Sequence, residues 1–163
     1  MTEYKTIYLK KGKEDSLTRK HPWIFSGAIS RCDDNMEEGE VVRVISGKGD
    51  FIAIGHWQIG SIAIRVLSFD DVAIDGEFYE NKLSIALDVR KSIGLLRGGN
   101  YIDEKNINTT YRLVHGEGDF LPGLVVDIYG NTAVVQAHSP GMHFARNAIA
   151  NALVNMPGSL VKN

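Results

Sequence analysis

Apolar side chains alternate with polar ones through short runs over the first seventy residues. The runs are TIYLK (6–10), AIS (28–30), VVRVIS (41–46), FIAIGHW (51–57) and IAIRVLSF (62–69). Period two is the pattern of half-buried strands, and turns such as KGKED, GKGD (47–50) and QIGS fall between them. Many short strands with glycine-containing connections predict a small barrel closing near residue 70. The segment DDVAIDGE (70–77) breaks the alternation, and a domain boundary is expected there. From Glu77 to Leu95 the period lengthens to that of a helix, with Tyr79, Leu83, Ala86, Leu87 and Ile93 on one face. Asp75 is the expected cap, and Gly94 with Gly98-Gly99 the expected end. Strands then return at YRLVH (111–115), LVVDIY (124–129) and TAVVQAH (132–138), the last two joined by a Gly130-Asn131 hairpin turn. Phe144, Ala145, Ala148, Ile149, Ala152 and Leu153 predict a second amphipathic helix ending before Pro157, and GSLVKN (158–163) reads as the start of another strand. The fold class is α+β.

Composition changes this picture little. The chain has 163 residues, 44% hydrophobic and 23% charged, near the averages for globular chains. The 17 glycines exceed the usual share and agree with many turns. Apolar runs stop short of the ~18 residues of a membrane span, and the single cysteine, Cys32, fits a reducing compartment, so a cytoplasmic location is expected. Charge is more informative. The net charge is −2, but residues 1–31 carry seven basic side chains against three acidic ones, while the remainder is acidic. The basic end also holds His21, Trp23 and Phe25. Cations beside aromatic rings suit a phosphate backbone with unstacked bases; the same residues also suit a solvated basic surface over an aromatic core.

Two segments concentrate chemistry. In RKHPWIFSG (19–27), Pro22 pushes His21 toward an extended conformation and so sets the direction of Arg19, Lys20 and His21 relative to Trp23; Ser26 and Gly27 permit a close backbone approach. Trp23 and Phe25 would otherwise plug the barrel. GEGDFLPG (116–123) has three glycines, but not in the spacing of a dinucleotide turn, and a strand rather than a helix follows. Glu117, Asp119 and Asp127 could form a carboxylate cluster for a metal or for acid–base work, or accept backbone N–H groups in a structured turn. Cys32 lies among Asp33, Asp34, Glu37 and Glu38, a poor setting for a thiolate nucleophile.

RKHPWIFSGAI (19–29), GEVVRV (39–44), FIAIGHW and SIAIRVLS (61–68) together resemble the PUA domain at the front of the S-adenosylmethionine-dependent ribosomal RNA large-subunit methyltransferase I family, whose members methylate carbon 5 of cytosine in 23S rRNA. YRLVHGEGDFLPGLVVDIYGN (111–131) resembles that family's second signature, in a strand-strand-helix-strand-strand domain. The resemblance implies a PUA-like RNA-binding barrel over 1–72, a connecting α+β domain over 73–157, and residues 158–163 as the start of a doubly wound catalytic domain absent from this chain. It implies Arg19, Lys20, His21, Trp23 and Ser26 as RNA contacts. Glu117, Asp119, Pro122, Gly123 and Asp127 carry the connecting-domain signature. Structured ribosomal RNA is the implied partner, with a homodimer as one possible assembly, no membrane association, and S-adenosylmethionine as cofactor of the full-length parent alone. No catalytic, cofactor or metal residue is expected within these 163. A stand-alone RNA-binding adaptor is the alternative.

Overall fold

The computed structural model describes residues 4–96 and 109–162. They form two compact units: one runs through Ile74 and takes in Ser139–Phe144, the other runs from Asp75 through His138 and resumes at Ala145.

In the first unit the strands are β1 (Lys5–Leu9), β2 (Trp23–Phe25), β3 (Ile29–Cys32), β4 (Val41–Ile45), β5 (Phe51–Trp57) and β6 (Ile62–Ser68). They form one sheet in the order β2-β6-β5-β4-β1-β3, with β1 and β4 parallel and the other pairs antiparallel. The two outermost strands, β2 and β3, are joined only by the 310 turn Ser26–Ala28. A flat six-stranded sheet would hold its edges about 24 Å apart, whereas four Cα steps reach at most ~14 Å. The sheet therefore curls around its apolar face, where Ile7, Leu9, Ile24, Val42, Val44, Ala53, Ile64 and Val66 pack with Leu17 of the short helix α1 (Asp15–Thr18). The expected barrel strands are present, with bounds moved by a residue or two. Neither α1 nor β2 announces itself in the pattern, because three or four residues carry no periodicity. Trp23 and Phe25 do not plug the barrel: alternation along β2 turns Ile24 inward, leaving Trp23 half-buried and Phe25 50% exposed.

Helix α3 (Pro140–Phe144) belongs to this unit, and Gly141 explains how it packs. A Cβ at that position would fall 2.1 Å from Cγ of His56, so only glycine allows the backbone onto the imidazole. His56 is buried with its Nδ1 unpaired, and desolvation lowers its pKa from 6.5 to about 4.

The second unit contains α2 (Gly76–Ser92), the antiparallel meander β7 (Thr110–His115), β8 (Leu124–Tyr129) and β9 (Thr132–Ala137), and α4 (Arg146–Asn155). Asp75 caps α2, its Oδ1 accepting the Phe78 N–H at 3.0 Å. Tyr79, Leu83, Ala86 and Leu87 are buried as the period predicts, but Ile93 lies past the last turn and is 69% exposed. Gly98-Gly99 lie outside the described residues. The helix expected over 144–153 is two helices, α3 and α4, divided between the units. The tail expected to begin a strand has no strand assignment over 159–162; it is held by the Lys162 N–H to Asn131 O bond (2.8 Å) and by burial of Val161.

Candidate nucleic-acid interface

Helix α1 ends at Arg19, and Lys20 then takes a left-handed conformation (φ +60°) that turns the chain toward Pro22. The turn is fastened by Lys20 N–H to Leu17 O (2.9 Å) and His21 N–H to Ser16 O (3.1 Å), while Pro22 O accepts the Val66 N–H at 2.8 Å. Because α1 and β2 are thus pinned side by side, a cleft of about 340 Å³ opens between them, lined by Lys13, Ser16, Trp23, Phe25 and Gly27 over a floor of Leu17 and Ile24. That volume is at the lower end of small-ligand clefts, ~300–1,000 Å³. It has room for a single base or sugar and none for a helical segment.

His21 adjoins Trp23, its Nδ1 3.2 Å from both the N and the O of that residue, so the imidazole is tied to the Trp23 backbone in either tautomer. Its ring meets Trp23 edge-on at 5.8 Å and Phe25 at 6.5 Å. The Arg65 guanidinium lies 5.9 Å from the Trp23 ring, and Lys20 Nζ 4.6 Å from the Phe69 ring. Arg19, Lys20, His21 and Ser26 are exposed, and no ion pair to Lys11, Lys13 or Arg19 occurs among the described residues. Of the segment 19–26, Trp23, Ile24 and Phe25 line the cleft, whereas Arg19, Lys20, His21 and Ser26 are exposed on the turns before and after β2. The cleft adds Lys13 and Ser16, which the sequence reading did not select; Arg65 meets the Trp23 ring beside it, and only the tertiary pairing of β2 with β6, Trp23 opposite Arg65, could have pointed to that.

The second signature is arranged differently. Asp119 is almost fully buried and takes a bidentate pair from Arg90 of α2, with Nη2 to Oδ2 at 2.8 Å, while also accepting the His115 N–H at 2.6 Å. Arg90 Nε donates to Arg112 O at 3.1 Å, so this pair ties α2 to β7. Asp127 pairs with Arg112 across β7 and β8, at 2.8 and 2.9 Å, and the hydrogen bond from that guanidinium holds its carboxyl below the usual range. Pro122 is buried in the turn and Gly123 adopts φ +86°, which leaves little choice but glycine. Glu117 is half-buried in the 310 turn Gly116–Asp119. With two of the three carboxylates neutralised by arginines, the turn has the donor set of a brace. No cluster of three metal-ligating side chains occurs among the described residues. The turn also leads from strand to strand, so it lacks the helix N-terminus that a nucleotide or S-adenosylmethionine cradle would use. Phe120, at the top of this turn, is left-handed (φ +56°) and 52% exposed. That conformation costs a residue with a side chain about 1 kcal/mol.

Residues 7–69 match the PUA-like domain family. Ribosomal RNA large subunit methyltransferase I of Klebsiella pneumoniae is 38% identical over 152 residues, covering 92% of this chain and 36% of that protein. Its Salmonella schwarzengrund counterpart is 36% identical over 154 residues, with 93% and 36% covered. The chain thus spans about a third of the length of the curated relatives it matches. Among solved structures, a protein assigned as a methyltransferase and complexed with SAH superposes with a TM-score of 0.71 at 18% identity, covering 90% of this chain and 36% of the other. A Streptococcus mutans protein assigned as a SAM-dependent methyltransferase gives 0.70 at the same identity and coverage. These two share the fold of both units. With a PUA-like barrel followed by a small α+β unit, the chain is similar over nearly its whole length to part of ribosomal RNA large subunit methyltransferase I.

Proposed function

We propose that this chain is the RNA-docking portion of an S-adenosylmethionine-dependent methyltransferase acting on cytosine carbon 5 in 23S rRNA. In this reading it holds structured rRNA while a separate catalytic domain binds the cofactor and transfers the methyl group. The cleft between α1 and β2 is the observation that carries it: aromatic Trp23 and Phe25 in the walls and Lys13 inside, with exposed Arg19, Lys20 and His21 in the turn that leads into β2. Cations there would neutralise phosphates, the rings would receive an unpaired base, and Ser26, on the turn after β2, would offer a hydroxyl to sugar or phosphate. The S-adenosylmethionine part rests on the relatives, since GEGDFLPG is not built to hold that cofactor. Glu117, Asp119, Pro122, Gly123 and Asp127 serve the second unit as a scaffold. The adaptor alternative is not favoured by relatives that are named methyltransferases.

The test is a binding titration of the 163-residue chain with 23S rRNA fragments, together with a radiolabelled methyl-transfer assay. Retention of structured rRNA without methyl transfer is expected. Methyl transfer by this chain alone, or no preference for rRNA over a plain DNA duplex, would overturn the division of labour.

A further inference from the structure

Phe120 combines two costs at one residue. Its backbone is left-handed, where glycine is at ease and other residues are strained, and half of its ring faces water. The turn does not need a phenylalanine to close: Phe120 N–H bonds to Glu117 O (3.2 Å), Leu121 N–H to Gly116 O (3.1 Å), and the plug of the loop is Leu121, fully buried. Strain retained where packing does not require it points to use of the side chain. Lys82 of α2 supports the ring, its ammonium lying 5.4 Å from the centroids of both Phe120 and the largely buried Phe78. The ring is held by a cation, and its chain neighbours Gly118 and Asp119 add no apolar side chain that would enlarge it into an apolar patch. It suits a ligand with a flat π face and polar edges.

We infer that Phe120, backed by Lys82, is a stacking platform for one unpaired RNA base, a second RNA contact located on the α+β unit. The inference rests on the RNA-docking reading above. A base would stack on the exposed part of the phenyl ring, gaining stacking that tolerates any base identity, while the Lys82 ammonium over the ring adds positive charge beside the sugar-phosphate.

The test uses the full chain, a fluorescent single-stranded RNA of about ten nucleotides, and the variants Phe120→Gly and Phe120→Trp. Phe120→Gly should weaken binding about fivefold or more with a melting temperature within about 3 °C of the parent, because relief of the left-handed strain offsets the lost ring contacts. Phe120→Trp should bind within about twofold of the parent. Binding by Phe120→Gly equal to the parent overturns the platform, as does equal weakening in Phe120→Trp. A fall of more than about 8 °C in Phe120→Gly would make the ring a packing element instead. Self-association lost in Phe120→Gly with RNA binding intact would make it a protein surface and equally overturn the proposal. Weakening by Arg19→Glu/Lys20→Glu with none by Phe120→Gly would remove only the platform; failure of the parent chain to bind RNA would remove the docking reading itself.

Discussion

His56 and Asp119 show what burial does to a polar side chain with and without a partner. His56 has none for Nδ1 and is kept neutral, its pKa lowered to about 4 by desolvation. Between about pH 6.5 and 4 the unfolded chain binds a proton at this residue and the folded chain does not. Its contribution to stability is therefore complete above 6.5 and falls by on the order of 3 kcal/mol as pH approaches 4. Urea midpoints at pH 7, 5.5 and 4.5 should fall in that order, and His56→Gln should flatten the trend; an unchanged slope would assign the acid sensitivity elsewhere. Asp119, in contrast, is buried with a partner, the Arg90 guanidinium, which is bidentate to it. Asp119→Asn leaves the guanidinium buried and half-paired, and should cost about 2–4 kcal/mol in chemical denaturation. Asp127→Asn should produce a clearly smaller change, since its partner Arg112 is exposed.

Among the elements, β2 separates stability from binding within three residues. Ile24 points into the barrel core, and Ile24→Ala should cost about 2–4 kcal/mol. Trp23 points into the cleft, and Trp23→Ala should lower RNA affinity with a smaller stability loss, read by thermal melts alongside titration. If both substitutions moved stability alike and neither moved affinity, the cleft would be mere packing. Longer elements were legible in the sequence because five to seven alternating residues, or four helical turns, repeat a signal; β5 occupies the residues its pattern marks. The short α1 and β2 were not, and the apolar run 144–153 concealed a break, because a change of partner between α3 and α4 leaves the hydrophobic period intact.

For the whole molecule, net charge misleads. At −2 the chain should ignore polyanions, yet its basic side chains gather toward the N-terminus, and Arg19 and Lys20 closely precede the strand that supplies Trp23 and Phe25 to the cleft. Affinity for rRNA should fall steeply with salt, and Arg19→Glu/Lys20→Glu should lower it at least tenfold while reducing the slope of log K against log salt by roughly 1 to 2. An unchanged slope would return both residues to plain solvated surface. The candidate contacts Arg19, Lys20, His21, Trp23 and Ser26 were legible because they are contiguous. Lys13 and Ser16 were not, because they reach the cleft only through the α1 turn, and Arg65 was not, because it meets Trp23 only through the β2–β6 pairing.

By itself the sequence determined the α+β class, the strand-rich beginning, the capped α2 and the meander, since each depends on periodicity or on local backbone chemistry. The family likeness was legible for a related reason: segments such as RKHPWIFSG and GEGDFLPG are contiguous in the chain. The curl that joins the outer strands, the inward turn of Ile24 in place of Trp23, the passage of α3 to the first unit and the pairing of Asp119 with Arg90 were decided by tertiary structure. Those features depend on which distant residues meet. Partners such as Arg90 and Asp119, or Gly141 and His56, leave no period or spacing by which a linear reading could match them.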